Sequence, residues 1–484
     1  MKTFTLLAIA GLLSLNIAPC SAKDALKECW KQQAEPLQHQ YLNISYNEKQ
    51  NELYHSPEPW MQIGYTGNGK IWYGAEHFAR QDTFTIGKRK LHAKLQLHKN
   101  ELLFADYGHE DLSDVTPDVL FGHLLETARY EPTTLVQYFS DKKVSGKKQA
   151  GNDLMLYQIR IYQSVVCLYI RSSDNLVEKV TVLSNDDLHG DVLTAYIYSN
   201  YTHEGKLSYP KNVSIEKLNG KVHDEVSISD VAMVSDMPAL LTRPKDYAIK
   251  EKPIEKTDIS VEHYNEHIHF VNMRHVGIKA MVAEFNDFVL VTEAPLNNTN
   301  GELLIAEVRK IAPGKAIRYF SFGHHHPHYL GGMRSFIHKG ATVLTAKDDI
   351  PYLNYLANAA HSLKPDSLQL SPRSLNLQEI DDSITITDGT YAMNIYHIGQ
   401  KSGHTSDYLI YYFPEEKLLF EGDLVWIASK GDLQKAGPTQ AGLYNAIKDL
   451  NLNVKTIVQS WNISLEKYKM QIPFEELEQS VNIK

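Results

Sequence analysis

Over much of the first half of the chain, apolar and polar positions alternate with a period of two. Thr83, Phe84, Thr85 and Ile86, and then residues 91–97, send side chains to two faces in turn, as a half-buried strand requires. The same texture returns at residues 154–161, 165–170, 177–183 and 192–199. Between residues 114 and 140 the period lengthens. There Leu120, Leu124, Leu125 and Ala128 recur at helical spacing, which predicts a helical interruption of the sheet. Asn219-Gly220, between Val213-Ser214-Ile215 and Val226-Ser227-Ile228, predicts a hairpin because both residues tolerate positive φ. Residues 23–242 are thus expected to form a mainly antiparallel β domain with helices, a curved sheet partly closed on one side.

Residues 243–258 are charged and punctuated by Pro244 and Pro253, the composition of a linker. Beyond it strands alternate with helices: residues 281–285 and 288–292 read as strands, 301–311 as a helix and 316–320 as a strand. A chain of 484 residues exceeds one ordinary core. The expectation is an α+β protein of two domains, the second spanning residues 259–484. No internal repeat of fixed period is visible.

Composition narrows the chemistry. With 43% hydrophobic and 22% charged residues the chain is globular in type, and with a net charge of −9 and no long basic run nothing points to a nucleic-acid backbone as partner. Histidine is plentiful at 22 and cysteine scarce at 3, which favours imidazole and carboxylate chemistry over a thiolate cluster. The N-terminus has the form of an export signal. Lys2 precedes an apolar run over residues 4–17, and Cys20-Ser21-Ala22 closes it, so cleavage after Ala22 and a periplasmic or secreted product are expected. Lipidation at Cys20 is the alternative, and Pro19 fits it poorly. No other stretch has the length for a membrane span. Cys29 and Cys167 then remain, either as a pair or as separate thiols; both readings stand.

The densest chemistry follows the 316–320 strand. Gly323-His324-His325-His326-Pro327-His328-Tyr329-Leu330-Gly331-Gly332 sets four imidazoles within five positions, with two glycines to let the backbone turn closely beneath a metal. Downstream come Gly403-His404-Thr405, a strand to Phe413, the turn Pro414-Glu415-Glu416-Lys417, and Glu421-Gly422-Asp423 after Leu418-Leu419-Phe420.

In order and spacing this series resembles the metallo-β-lactamase superfamily, whose pattern is His-x-His-x-Asp-His-x-Gly-Gly, a later Gly-His-Thr, an Asp after a strand, and a final His. The resemblance covers most of the chain beyond the linker. Strand 288–292 with Glu293-Ala294-Pro295 stands where the family has a strand ending in an acid. The resemblance implies an αββα sandwich and a first zinc position held by His324, His326 and His404. The departures fall on the second position: His328 replaces the motif Asp, Tyr329 the adjacent His, and Ser460-Trp461 the closing Gly-His. Asp423 remains, His328 can ligate, and Trp461 cannot bind zinc. One zinc ion is therefore expected, with the second position incomplete.

Such a site implies metal-activated water attacking an ester, thioester, amide or phosphoester-type bond of a small-molecule substrate. Asp423 would orient the water or take its proton, His328 would ligate or shuttle protons, and Tyr329 would stabilise an oxyanion or pack below the site. His325 is expected to point away from the metal. His267 and His269 read as an exposed strand face and, with His275, are not expected to ligate. Trp461 is either an apolar wall or core. Two further readings compete with the exported zinc hydrolase: a degenerate metal- or ligand-binding member, and a lipid or peptide carrier whose N-terminal domain does the work. The fold does not select the substrate.

Overall fold

The computed structural model describes residues 22–483 apart from 38–39, 54, 75–76, 99–100, 107–108, 115–116, 150–152 and 243–255. The expected signal segment before Ala22 and most of the expected linker lie outside the described residues. The chain is mixed α+β, with three sheets of thirteen, seven and six strands. No helix among the described residues is long and apolar enough to cross a membrane.

The thirteen-stranded sheet is antiparallel throughout and takes its strands from residues 41–234. Its middle is the pairing of Tyr41–Glu52 with Val222–Val234. The alternation read from the sequence becomes His77–Ile86, Arg89–His98, Leu154–Ile161, Ser164–Arg171, Val177–Asp186 and Gly190–Glu204. At the hairpin between Leu207–Lys217 and Val222–Val234, Asn219 and Gly220 take φ of 58° and 80°, the left-handed values that fit that sequence pair. The helical interruption is two helices, Pro117–Thr127 and Thr133–Asp141, and not one. Pro132 stands at the N-cap of the second, where its missing N–H costs nothing; further inside a helix it would break one. Helix Ala22–Gln33 and Thr133–Asp141 bury Leu26, Cys29, Leu135, Val136 and Phe139 against Tyr157, Val166 and Leu168 of the sheet. Cys29 and Cys167 are both free; the Cys29 thiol donates to Gln33 Oε1 at 3.2 Å.

The other two sheets come from residues 259–473. In the seven-stranded sheet, Phe288–Thr292, Ala316–Ser321, Thr342–Ala346 and Asn376–Ile380 run parallel. The six-stranded sheet is antiparallel except where Leu418–Glu421 pairs parallel with Thr456–Gln459. Three apolar clusters define the layering. Phe270, Met281 and Leu290 of one sheet meet Ile395, Tyr411 and Phe420 of the other. The outer face of the seven-stranded sheet packs on helices through Leu304, Val308, Phe336 and Leu353. That of the six-stranded sheet does so through Leu443, Ile447 and Leu477. The order is helix, sheet, sheet, helix. Because both faces of each sheet are covered, strand Ile268–Met273 is buried along its whole length. This corrects the expectation of an exposed face there: His269 is buried, with ring nitrogens 3.0 Å from Glu284 Oε2 and 2.8 Å from His263.

Candidate metal centre

Four loops meet where strands end. Phe288–Thr292 delivers Glu293, Ala316–Ser321 delivers residues 323–328, Leu418–Glu421 delivers Asp423, and Thr456–Gln459 delivers Trp461. Parallel neighbours end on the same side, so their C-terminal ends form a natural crevice for a ligand.

His324, His326 and His404 each offer a ring nitrogen, and the three atoms lie within 4.8 Å of one another. His324 and His326 are buried. The Ser56 carbonyl lies 3.0 Å from His326 Nε2 and can only accept, which places the proton on that nitrogen. His326 Nδ1 then turns its lone pair toward His324 Nε2, 2.9 Å away. Burial first, and then the neighbouring imidazoles, hold His324 well below the usual histidine range and bring His326 down to about 3. Burial, with His55 adding to it, takes His328 down to about 4. Both cage histidines from this loop are therefore neutral at neutral pH, the state a metal needs. His404 Nε2 is buried with no hydrogen-bond partner, 3.5 Å from Asp423 Oδ2. Two neutral imidazoles and the unfilled nitrogen of His404 beside a carboxylate form a donor set that fits a zinc ion.

The turn carrying Asp423 is wound around one phenol. The Tyr408 hydroxyl accepts the N–H of Gly422 at 3.0 Å and of Asp423 at 2.9 Å, and donates to Glu421 Oε2 at 2.9 Å, with Asp423 Oδ1 at 3.3 Å. Burial raises Asp423, takes Glu421 up to about 8 and lifts Glu293 well above the carboxylate range. Buried acids lacking a counter-charge are what a nearby cation would ionise. Glu293 Oε2 accepts the Gly323 N–H at 3.2 Å and so fixes the start of the histidine loop.

The sequence-predicted residues divide. His324, His326, His404 and Asp423 come together. The Tyr329 ring packs 4.3 Å from His324, and its buried hydroxyl lies near Asp423 without an aligned partner. His328 stands at the rim, its ring 5.2 Å from Trp461, outside the cage set. His325 turns away, as expected. Its N–H donates to Asp407 Oδ2 at 2.6 Å and its Nδ1 lies 3.1 Å from Oδ1, with Asp349 completing a second, buried group. A Cβ on Gly331 or Gly332 would strike Leu296 or Gly301 backbone, so both serve close packing.

The sequence reading missed the contribution of residues 55–62, which follow strand Tyr41–Glu52 of the thirteen-stranded sheet. Besides the Ser56 bond, Pro57 accepts the Ser406 N–H at 2.8 Å, and His55 lies 5.0 Å from His326 by ring centroid. No local signal marks this loop, because its partners His326 and Ser406 stand hundreds of positions further on.

No protein-family model matches the chain, and no curated protein matches it. Solved structures that resemble it include a metallo-β-lactamase from Pontibacter korlensis, at 15% identity over 46% of this chain and 97% of that one, TM-score 0.35. Another is the FIM-1 metallo-β-lactamase from Pseudomonas aeruginosa in its mono-zinc form, at 17% identity over 47% and 96%, TM-score 0.34. A third is the chemotaxis sensor ODP with a peroxy diiron species, at 11% identity over 47% and 95%, TM-score 0.33.

Proposed function

We propose that residues 259–484 form a metallo-β-lactamase-like domain, that residues 1–22 are an export signal, and that the mature protein is a zinc-dependent hydrolase of small-molecule substrates. The observation that carries this reading is the cage itself: neutral imidazoles of His324 and His326 meet His404 Nε2, which no protein group satisfies. The four-layer order of helices and sheets supports the domain assignment. His324, His326 and His404 would hold one zinc ion. Bound there, zinc supplies Lewis acidity that acidifies water and polarises a carbonyl or phosphoryl oxygen. Asp423, steadied by Tyr408 and facing His404, would orient the attacking water and take up its proton. Tyr329 would hold Asp423 and His324 in register from below, and His328 would serve the rim or a weaker second cation.

The test is zinc per chain of the purified protein together with turnover on a panel of esters, thioesters, amides and phosphodiesters. Stoichiometric zinc with turnover lost in His326→Ala is the expected result; a folded, zinc-free protein overturns the reading. N-terminal sequencing of the mature protein should begin at Lys23.

A second reading, carriage of a ligand by the thirteen-stranded sheet, is favoured by a cavity of about 800 Å³ lined by Leu37, Tyr41, Tyr73, Leu124, Thr133 and Tyr138. A lipid co-purifying with the chain would support it.

A further inference from the structure

The cage is closed on one side and open on another. His324 and His326 are buried, whereas the side chains of His404 and Asp423 retain 25% and 13% of their exposure. Beside the cage lies a run of rings, and its His55 also lies close enough to Asp423 and His404 to feel their charge. Trp426 and Trp461 stand 5.7 Å apart by centroid, Trp461 and His328 5.2 Å, His328 and His55 6.0 Å, and His55 and His326 5.0 Å. All these spacings fall in the range in which aromatic rings attract one another, so a further ring laid against the run would find matching edges and faces. His55 is exposed, and His328, Trp426 and Trp461 are half-buried. Rings recruited only to fill a core would be covered.

His55 also has φ of 55°, in the left-handed region that a histidine seldom adopts. The bonds of Ser56 to His326 and of Pro57 to Ser406 hold it there, so the backbone is constrained where the ring meets the rim.

We propose that this rim is an aromatic subsite, built jointly by residue 55 of one half of the chain and residues 328, 426 and 461 of the other. It would take an aromatic group of the substrate beside the bond to be cleaved. The choice of bond rests on the hydrolase reading; the subsite does not.

The experiment is binding of acetanilide and of acetamide to the full-length mature protein loaded with zinc, by calorimetry and by tryptophan fluorescence. Acetanilide should bind at least tenfold more tightly. His55→Ala and Trp461→Ala should each reduce that ratio several-fold with zinc per chain unchanged. Equal binding of the two amides overturns the proposal, as does a ratio that both variants preserve. Should Trp461→Ala fail to fold, His55→Ala on its exposed loop decides alone. Acetanilide preference without turnover of any ester, thioester, amide or phosphodiester would sink the hydrolase reading and leave the subsite standing.

Discussion

His324 and His326 turn one way and His325 the other, so two clusters of similar residues lie back to back on one loop. The first, completed by His404, leaves ring nitrogens without protein partners. The second, His325 with Asp349 and Asp407, is as deeply buried but largely satisfied from within. Asp407 receives both the N–H and the ring of His325, and Thr345 donates to Asp349 Oδ2 at 2.8 Å. Burial drives Asp349 well up, reinforced by Asp407. The same burial acts on Asp407, yet His325, Thr405 and Asp349 hold it below the ordinary value. One proton on Asp349 and none on Asp407 therefore balances the second group without a metal. A histidine beside other donors is a metal site only where its lone pair remains unused.

The largest expected effect tests the first cluster. His326→Ala should lose zinc and turnover together while circular dichroism stays native; retained stoichiometric zinc would break the contrast. Next is the second cluster. Asp407→Asn replaces the carboxylate that meets both the N–H and the ring of His325 with an amide, which weakens two buried hydrogen bonds to a charged group, and should cost about 3 kcal/mol, read from denaturant unfolding. Zinc per folded chain should fall little. A smaller loss, about 2 kcal/mol, is expected for Tyr408→Phe, which strands two backbone N–H groups and the Glu421 carboxyl; unfolding in urea measures it.

The smallest effect sharpens the proton assignment. A carboxyl whose folded pKa is raised contributes stability that is complete below its unfolded pKa and drains away as pH rises through the folded value. Asp349→Asn, which cannot ionise, should stay within about 1 kcal/mol of the parent at low pH and lose less stability on the alkaline side. Asp407, held low, gives the opposite limb: its contribution is present above the unfolded pKa and lost as pH falls through the folded one. Identical pH profiles for parent and Asp349→Asn would show that no proton sits there.

What the sequence could disclose depended on distance along the chain. His324, His326 and Asp423 sit in short runs tied to strand ends, and their spacing alone brought them to notice. Asp407 stands three residues after His404, yet its partner His325 is 82 positions away, so nothing local distinguished it. The hairpin at Asn219-Gly220 was legible because turn geometry is set by the residues that make it, as was the alternation on either side. The burial of His269 was not, since alternation reports one covered face and cannot tell when a second sheet covers the other. His55, Ser56 and Pro57 are polar loop residues by any local measure, and only the packing of one half on the other gives them a role.

The two carbonyls of that loop have a thermodynamic consequence. Ser56 and Pro57 bind the segments that bear His326 and His404, so ordering the loop and ordering the cage are one process. Whatever free energy a cation adds to the cage is shared with that loop. Chelation should therefore make residues 55–62 more open to protease.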